Sequence, residues 1–309
     1  MVKRRGELTD EELKIIKKKI SDEEAYEKFF KDCYLRNLRP ATIGYYKNEF
    51  HGAKKIVNKQ LVEWEQKDVE DLILKSKQLM KVTTINTRLR ALRSFYNFLD
   101  KNKLIDKNPM KNIKLLRDRQ KTIETLDNQE IEKLIKTIRK QKTFVGFRDE
   151  VILLVFLDTG VRLSELVGIK VEDVRHNKLI IRRTKNLFER TVYLSDTTQE
   201  RLESYIKVRG EVATNKLFIS QDNKELNPHS IQTRLTKYGK EAKISKRVSP
   251  HTFRHTMAKR MIVSGLDAFS LMHLLGHTDI TVTKRYVNLW GQDLEQKHKE
   301  YGALKGLNL

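Results

Sequence analysis

"HTFRHTMAKRM", residues 251–261, sets two histidines four residues apart with an arginine three residues after the first. On a helix the i, i+3 and i+4 positions share one face, so His251, Arg254 and His255 stand together. A histidine pair at this spacing suits zinc. A guanidinium, however, keeps its charge at every accessible pH and competes with a metal cation for the same place. The face is read as an anion holder. His273 and His277 make another i, i+4 pair, so a four-histidine zinc site is the alternative that spacing alone allows. Gly276 is expected to end that second helix between its two histidines.

Two further stretches carry chemistry-bearing residues at element boundaries. In "TGVRLSEL", residues 159–166, Gly160 suits a helix C-cap and Arg162 is projected from the start of the next helix. Pairing with Glu165 on its own helix is the ordinary role for such an arginine. "LLGHTDITVTKRYVNL", residues 274–289, ends a helix at Gly276, leaves His277 on the turn and places Tyr286 on a short helical segment beyond. Phe253, Met257 and Met261 repeat every four residues and are read as core.

The chain has 309 residues, 39% of them hydrophobic, with 13 Gly and 4 Pro. That length predicts two domains and that composition an ordinary, mostly helical globular protein. Cys33 is the single cysteine, which excludes an internal disulfide or a cysteine-based zinc cluster. The longest apolar run, "VILLVFL" at 151–157, is too short to span a bilayer, and the basic amino terminus has no apolar core of a secretory signal. A soluble, cytoplasmic protein with no membrane partner is expected. The net charge is +22, shared evenly at +11 for residues 1–120 and +11 for 121–309. Such a balance points to a polyanion, nucleic acid first, over a merely lysine-rich soluble surface.

Along the chain, residues 1–20 form a basic segment in which Thr9-x-x-Glu12 signals a helix start. Residues 21–103 read as a bundle of about four helices. The clearest carries a core stripe of Ile85, Leu89, Leu92, Tyr96 and Leu99. Its other side bears Arg90, Arg93, Asn97 and Lys101, a row that is either a solvated face or a DNA-contacting one. Residues 104–124, with Asn108-Pro109, read as a linker. Beyond it come two helices, a hairpin at 178–194 from "KLIIRR" and "ERTVYL", a possible third strand at "LFIS" (217–220), and helices to the end.

The three motifs together resemble the catalytic domain of the tyrosine recombinase (phage integrase, Xer-like) family. "TGVRLSEL" is similar to its first-arginine motif, "HTFRHTMAKRM" to its His-x-x-Arg motif, and "LLGHTDITVTKRYVNL" to its Leu-Gly-His and nucleophilic-tyrosine segment. The match runs in order from about 125 to 290. Residues 21–103 resemble the family's helical, SAM-like core-binding domain more weakly, through "LRPATIGYY" and "TTINTRLRALRSFYNFL".

That resemblance implies a mainly α fold with a small β-hairpin or sheet. A core-binding bundle (21–103) and a catalytic domain (125–291) would form a C-shaped clamp on DNA, and a tail (292–309) would dock on a neighbouring protomer. It implies Arg162, Arg254 and His277 as ligands of the scissile phosphate, Tyr286 as the nucleophile that forms a 3′-phosphotyrosyl bond, and His251 as its base. It implies a lysine on the hairpin turn as the acid for the 5′ oxygen. Lys185 holds that place, although relatives carry glycines where this turn has Thr184 and Asn186. Lys178 and Arg183 are the alternatives. Glu165 and His255 would support the site from behind.

The residue types suit phosphoryl transfer. Charge spreads over the nonbridging oxygens in the transition state, and forked arginines can stabilise it where other enzymes use a metal. No metal and no cofactor, ATP included, is expected. The partners implied are double-stranded DNA carrying a specific recombination site, and further copies of the chain in a synaptic tetramer on a Holliday junction. A type IB topoisomerase-like relaxing enzyme and a non-catalytic DNA-binding accessory protein are the alternative readings.

Overall fold

The computed structural model describes residues 20–118, 123–182, 189–276, 279–280, 283–284 and 286. The expected helix after Thr9, the lysine turn at 183–188, His277 and the tail at 292–309 lie outside the described residues. The chain divides into two compact units, residues 1–121 and 122–309.

The first unit holds α1 (Asp22–Leu35), α2 (Pro40–Ile56), a 3-10 turn (Leu61–Glu63), α3 (Gln66–Leu79) and α4 (Val82–Lys101). Ser21 starts α1 through a reciprocal capping box with Glu24, and Pro40 starts α2 where its missing N–H has no partner to lose. The Ile85–Leu99 stripe of α4 is fully buried. Phe95 on the same helix meets Phe29 edge-on and lies 4.8 Å from Phe50, so aromatic packing joins α1, α2 and α4. The buried Tyr96 hydroxyl donates to the Leu61 carbonyl at 2.8 Å.

Residues 104–118, the first part of the expected linker, carry no helix or strand. They are nonetheless anchored on the first unit. Met110 and Ile113 are buried in its core. The Asn86 side chain donates to the Leu116 carbonyl at 2.9 Å and accepts from its N–H at 2.8 Å. Arg93 of the row expected to be solvated or to contact DNA donates to the Ile113 carbonyl at 2.5 Å, and Asn97 accepts from Asn108. Arg90 and Lys101 are exposed.

The second unit holds α5 (Asn128–Arg139), α6 (Phe144–Thr159), α7 (Leu163–Leu166), β1 (Val174–Arg175), β2 (Lys178–Ile181), β3 (Arg190–Tyr193), α8 (Asp196–Arg209), α9 (Pro228–Glu241), α10 (Pro250–Val263) and α11 (Ala268–Leu275). Helix α6 is apolar nearly all round because it is the centre of the core, with Val151, Ile152, Leu153, Val155 and Phe156 all buried. The sheet runs β1-β2-β3, antiparallel, with Val174 opposite Leu179 and Ile181 opposite Arg190.

The third strand is therefore Val174–Arg175, not the "LFIS" stretch. Leu217, Phe218 and Ile219 are buried one after another, without strand alternation, and that region makes only isolated bridges, Lys170 with Lys216 and Ile219 with Glu225. A short apolar run has the same sequence signature whether it is a strand or a buried loop.

Two helix ends position the site. Helices α6 and α11 both stop at a glycine in the left-handed region, Gly160 at φ 60° and Gly276 at φ 63°.

Candidate active site

Arg162 opens α7. Its backbone N–H donates to Glu165 Oε2 at 2.9 Å and its Nη1 to Glu165 Oε1 at 2.8 Å. Its Nη2 reaches the Gly276 carbonyl at 3.4 Å. The Glu165 carboxylate has no solvent exposure, while the Arg162 side chain keeps 24% of its surface. The acid is thus a fixed buried anchor and the arginine is its solvent-facing partner.

Arg254, on α10, is buried and serves both glycine ends. Its Nη1 donates to the Gly160 carbonyl at 2.6 Å and its Nη2 to the Leu275 carbonyl at 2.8 Å, satisfying acceptors that helices leave unpaired at their C-termini. Burial, then the neighbouring charge of Arg162, pushes its pKa down to about 10, against the opposing pull of Glu165 and Tyr286. It remains charged at neutral pH. A Cβ on Gly160 would sit 3.1 Å from Leu275 and 3.2 Å from the Met257 sulfur, so glycine answers both the backbone angle and the close approach.

His251 starts the same helix and is exposed at its edge. Partial loss of hydration, followed by Arg254, Arg247 and Arg162, lowers its pKa below the ordinary histidine value. One turn on, His255 Nδ1 lies 2.8 Å from the Tyr286 hydroxyl. Tyr286 itself is buried among Met257, Leu271 and Leu275. The two histidines of the opening motif therefore face different groups, His251 the arginines and His255 the phenol. Among the described residues, no three His, Cys, Asp or Glu side chains stand close enough to share a metal ion.

The structure brings Arg162, Glu165, His251, Arg254, His255 and Tyr286 into one region of the second unit. Lys185 and His277 lie outside the described residues. Lys178, an alternative to Lys185, is exposed with its ammonium 5.8 Å from the Tyr193 ring centre. Arg90, Arg93, Asn97 and Lys101 belong to the first unit.

One residue that sequence reading missed stands in the middle of the cluster. Arg190, the first residue of β3, donates from Nη2 to Glu165 Oε2 at 2.7 Å and from Nη1 to Oε1 at 3.1 Å. Its Nε donates to the Leu274 carbonyl at 3.1 Å. Burial raises the Glu165 pKa, but Arg190 and Arg162 more than offset this and hold the carboxyl below its ordinary range. The signal was present in "ERTVYL". Arg190 and Val192 are two apart and so share a sheet face, and Val192 is buried. A charge on a core-facing strand position calls for a buried partner.

The chain matches the Phage integrase family over residues 124–292, more than half its length. The chain belongs to that family. It is 31% identical over 256 residues to the tyrosine recombinase XerC of Vibrio atlanticus (strain LGP32), covering 80% of this chain and 82% of that one. Its fold is similar to the Tn1549 transposon integrase in complex with transposon right end DNA, with a TM-score of 0.73 and 19% identity over 86% of this chain and 94% of that one. It is also similar to a lambda integrase tetramer bound to a Holliday junction, with a TM-score of 0.72 and 14% identity over 87% and 78%. As a tyrosine recombinase, the protein is an enzyme of site-specific recombination. No helix among the described residues is long and apolar enough to cross a membrane.

Proposed function

We propose that this recombinase cuts and rejoins DNA at a specific site through a 3′-phosphotyrosyl intermediate. The observation that carries the reading is that Arg162 and Arg254 converge on one helix end, at the Gly276 and Leu275 carbonyls, and that Tyr286 packs in the same cluster as Leu275. In a site of reduced dielectric such fixed cations bind a phosphodiester and stabilise its transition state.

Arg162, Arg254 and His277 bind the nonbridging oxygens. The Tyr286 oxygen bonds to phosphorus while the bond from phosphorus to the 5′ oxygen breaks. The phenolic proton passes to His251, whose lowered pKa keeps it a neutral acceptor at neutral pH. Lys185 protonates the departing 5′ oxygen. His255 steadies the phenol through the 2.8 Å contact, and Glu165 holds Arg162. The phosphotyrosyl bond conserves the energy of the broken one, so rejoining is the same chemistry reversed and consumes no ATP.

Residues 21–103 serve as the core-binding domain and 125–291 as the catalytic domain, joined through 104–124, and each binds the duplex. Exposed Arg90 and Lys101 contact the DNA backbone. Four copies exchange strands through a Holliday junction, with residues 292–309 docking on a neighbour. Support for the assembly comes from the likeness to lambda integrase, which forms a tetramer on such a junction.

The test uses a pool of labelled, nicked duplexes randomised around the nick, incubated with the protein in EDTA and resolved under denaturing conditions. Wild type gives a protein–DNA adduct and Tyr286→Phe gives none. Cleavage that survives loss of the Tyr286 hydroxyl sinks the mechanism.

A further inference from the structure

Glu165 is a buried carboxylate held by two arginines, and the two do different things. Arg162 approaches from the solvent side, with 24% of its side chain exposed, whereas Arg190 is 10% exposed and grips both oxygens from within. With Arg162 alone, the pair would be neutral and the acid would compete with any incoming phosphate for the same guanidinium. With Arg190 added, the triad carries one net positive charge, and Arg162 is the member that faces outward.

Geometry fastens Arg190 further. Its Nε holds the Leu274 carbonyl, and Arg162 Nη2 reaches the Gly276 carbonyl at the same helix end. A Cβ on Gly276 would lie 2.9 Å from Arg190 Nη1 and 3.1 Å from its Cδ and Cζ, so the guanidinium lies against a backbone that only glycine leaves open. Arg190 also begins β3, opposite Ile181, and so ties the strand end next to the hairpin turn to the arginine cluster.

We propose that Arg190 is a positioning residue for strand cleavage, which neutralises Glu165 so that Arg162 keeps its charge for the scissile phosphate and which locks the α11 end to β3. The inference rests on the reading of Arg162 as a phosphate ligand. It adds a residue that acts through another and never touches DNA.

The experiment compares adduct formation on the nicked-duplex pool by wild type, Arg190→Gln, Arg190→Lys, Glu165→Gln and the Arg190→Gln/Glu165→Gln double variant. Overall DNA affinity and thermal unfolding are followed in parallel. Arg190→Gln is expected to slow cleavage about a hundredfold, the scale of losing one preorganised charge contact, with affinity within about threefold because flanking contacts dominate it. The double variant recovers to within about tenfold of wild type, since the buried carboxylate no longer captures Arg162. Arg190→Lys falls between. On a substrate with an uncharged methylphosphonate at the cleavage position, the Arg190→Gln defect shrinks below about tenfold, a change that a merely structural role would not produce.

Should Arg190→Gln fail to fold, Arg190→Lys carries the comparison, and a cleavage defect in it that shrinks on methylphosphonate supports the proposal. A wild-type rate in Arg190→Gln, a double variant no faster than the single one, or an unchanged defect on methylphosphonate overturns it. No adduct from wild type at all sinks the functional reading and this inference with it. A wild-type adduct lost on Arg162→Gln but kept on Arg190→Gln sinks the inference alone.

Discussion

Positive charge is handled differently in the two units. In the first, the semi-buried cations are matched singly: Arg88 with Glu49 at 3.0 Å, Lys54 with the fully buried Asp22 at 2.7 Å, Lys59 with Asp68 at 2.7 Å. In the second, Arg162 and Arg190 share Glu165, and Arg254 lies close enough to both for their charge to depress its pKa. Three guanidiniums around one carboxylate leave an excess that folding alone does not require, because like charges gathered at reduced dielectric repel. Matched charge marks architecture. Arg148 and Arg234 share Asp149, and Arg139 and Arg201 share Glu150, so an excess over one acid is not enough to mark where an anion belongs. What sets the Glu165 cluster apart is a third guanidinium held beside it by helix-end carbonyls.

The sharpest way to break this comparison is to remove the excess. Arg254→Lys keeps the charge but loses the fork that spans the Gly160 and Leu275 carbonyls. Adduct formation is expected to fall about a thousandfold with the fold retained by thermal melting. Equivalent removal in the first unit, Arg88→Met, is expected to cost stability and leave the chemistry within about twofold, as a paired side chain of the scaffold should. Equal effects of the two on adduct formation would erase the distinction.

A smaller effect separates backbone strain from charge placement. Gly276→Ala puts a side chain at φ 63°, ψ 47°, a left-handed conformation that should cost about 1–2 kcal/mol in denaturant unfolding. Gly210→Ala, at φ 65°, ψ −167°, enters a region essentially reserved for glycine and should destabilise by more. Around Gly210 the space is open, whereas at Gly276 the new methyl meets Arg190. Only Gly276→Ala is expected to slow cleavage, by about tenfold, a barrier of about 1.4 kcal/mol. If the two variants lose activity equally, the Arg190 contact does not matter to the site.

What could be read from sequence follows from the range of the interactions. The Ile85–Leu99 stripe was legible because helical period is local, and Arg162, Arg254 and Tyr286 because each sits in a short motif at a helix boundary. Arg190 was not, since its partners lie 25 residues back at Glu165 and 84 residues on at Leu274. The local pattern of "ERTVYL" flags a buried charge but cannot name partners that far along the chain. Met110 and Ile113 were hidden similarly: two apolar residues in an aperiodic stretch look like a linker until Asn86 and Arg93 pin the chain down.

That pinning sharpens the comparison within the first unit. Arg93 holds a carbonyl there much as Arg254 does in the second unit, and because that bond pins the 104–118 stretch it is read as scaffold. Arg93→Met should lower unfolding stability by about 1–2 kcal/mol and leave the salt dependence of DNA binding nearly unchanged. Exposed Arg90 and Lys101 should each reduce the slope of log affinity against log salt by about one when changed to Ala. A reduced slope for Arg93→Met would return it to the DNA face.

The smallest effect is a titration, and it tests the charge excess with the fold intact. His251 loses protons more readily than a free histidine because hydration is partly lost and Arg254, Arg247 and Arg162 oppose a further positive charge. Its folded pKa lies below its unfolded value of about 6.5, so the unfolded chain binds the proton more tightly. The contribution of neutral His251 to stability is then complete above about pH 6.5 and is lost as pH falls through the folded pKa. Imidazole signals in an NMR titration should place His251 below the ordinary value, and Arg162→Gln or Arg247→Gln should each move it upward. Arg93→Met should not move it at all, since that arginine is not among the charges that depress the His251 pKa. An unchanged midpoint in both Arg162→Gln and Arg247→Gln would mean that loss of hydration alone depresses the imidazole, and the excess of positive charge would have to be sought elsewhere in the site.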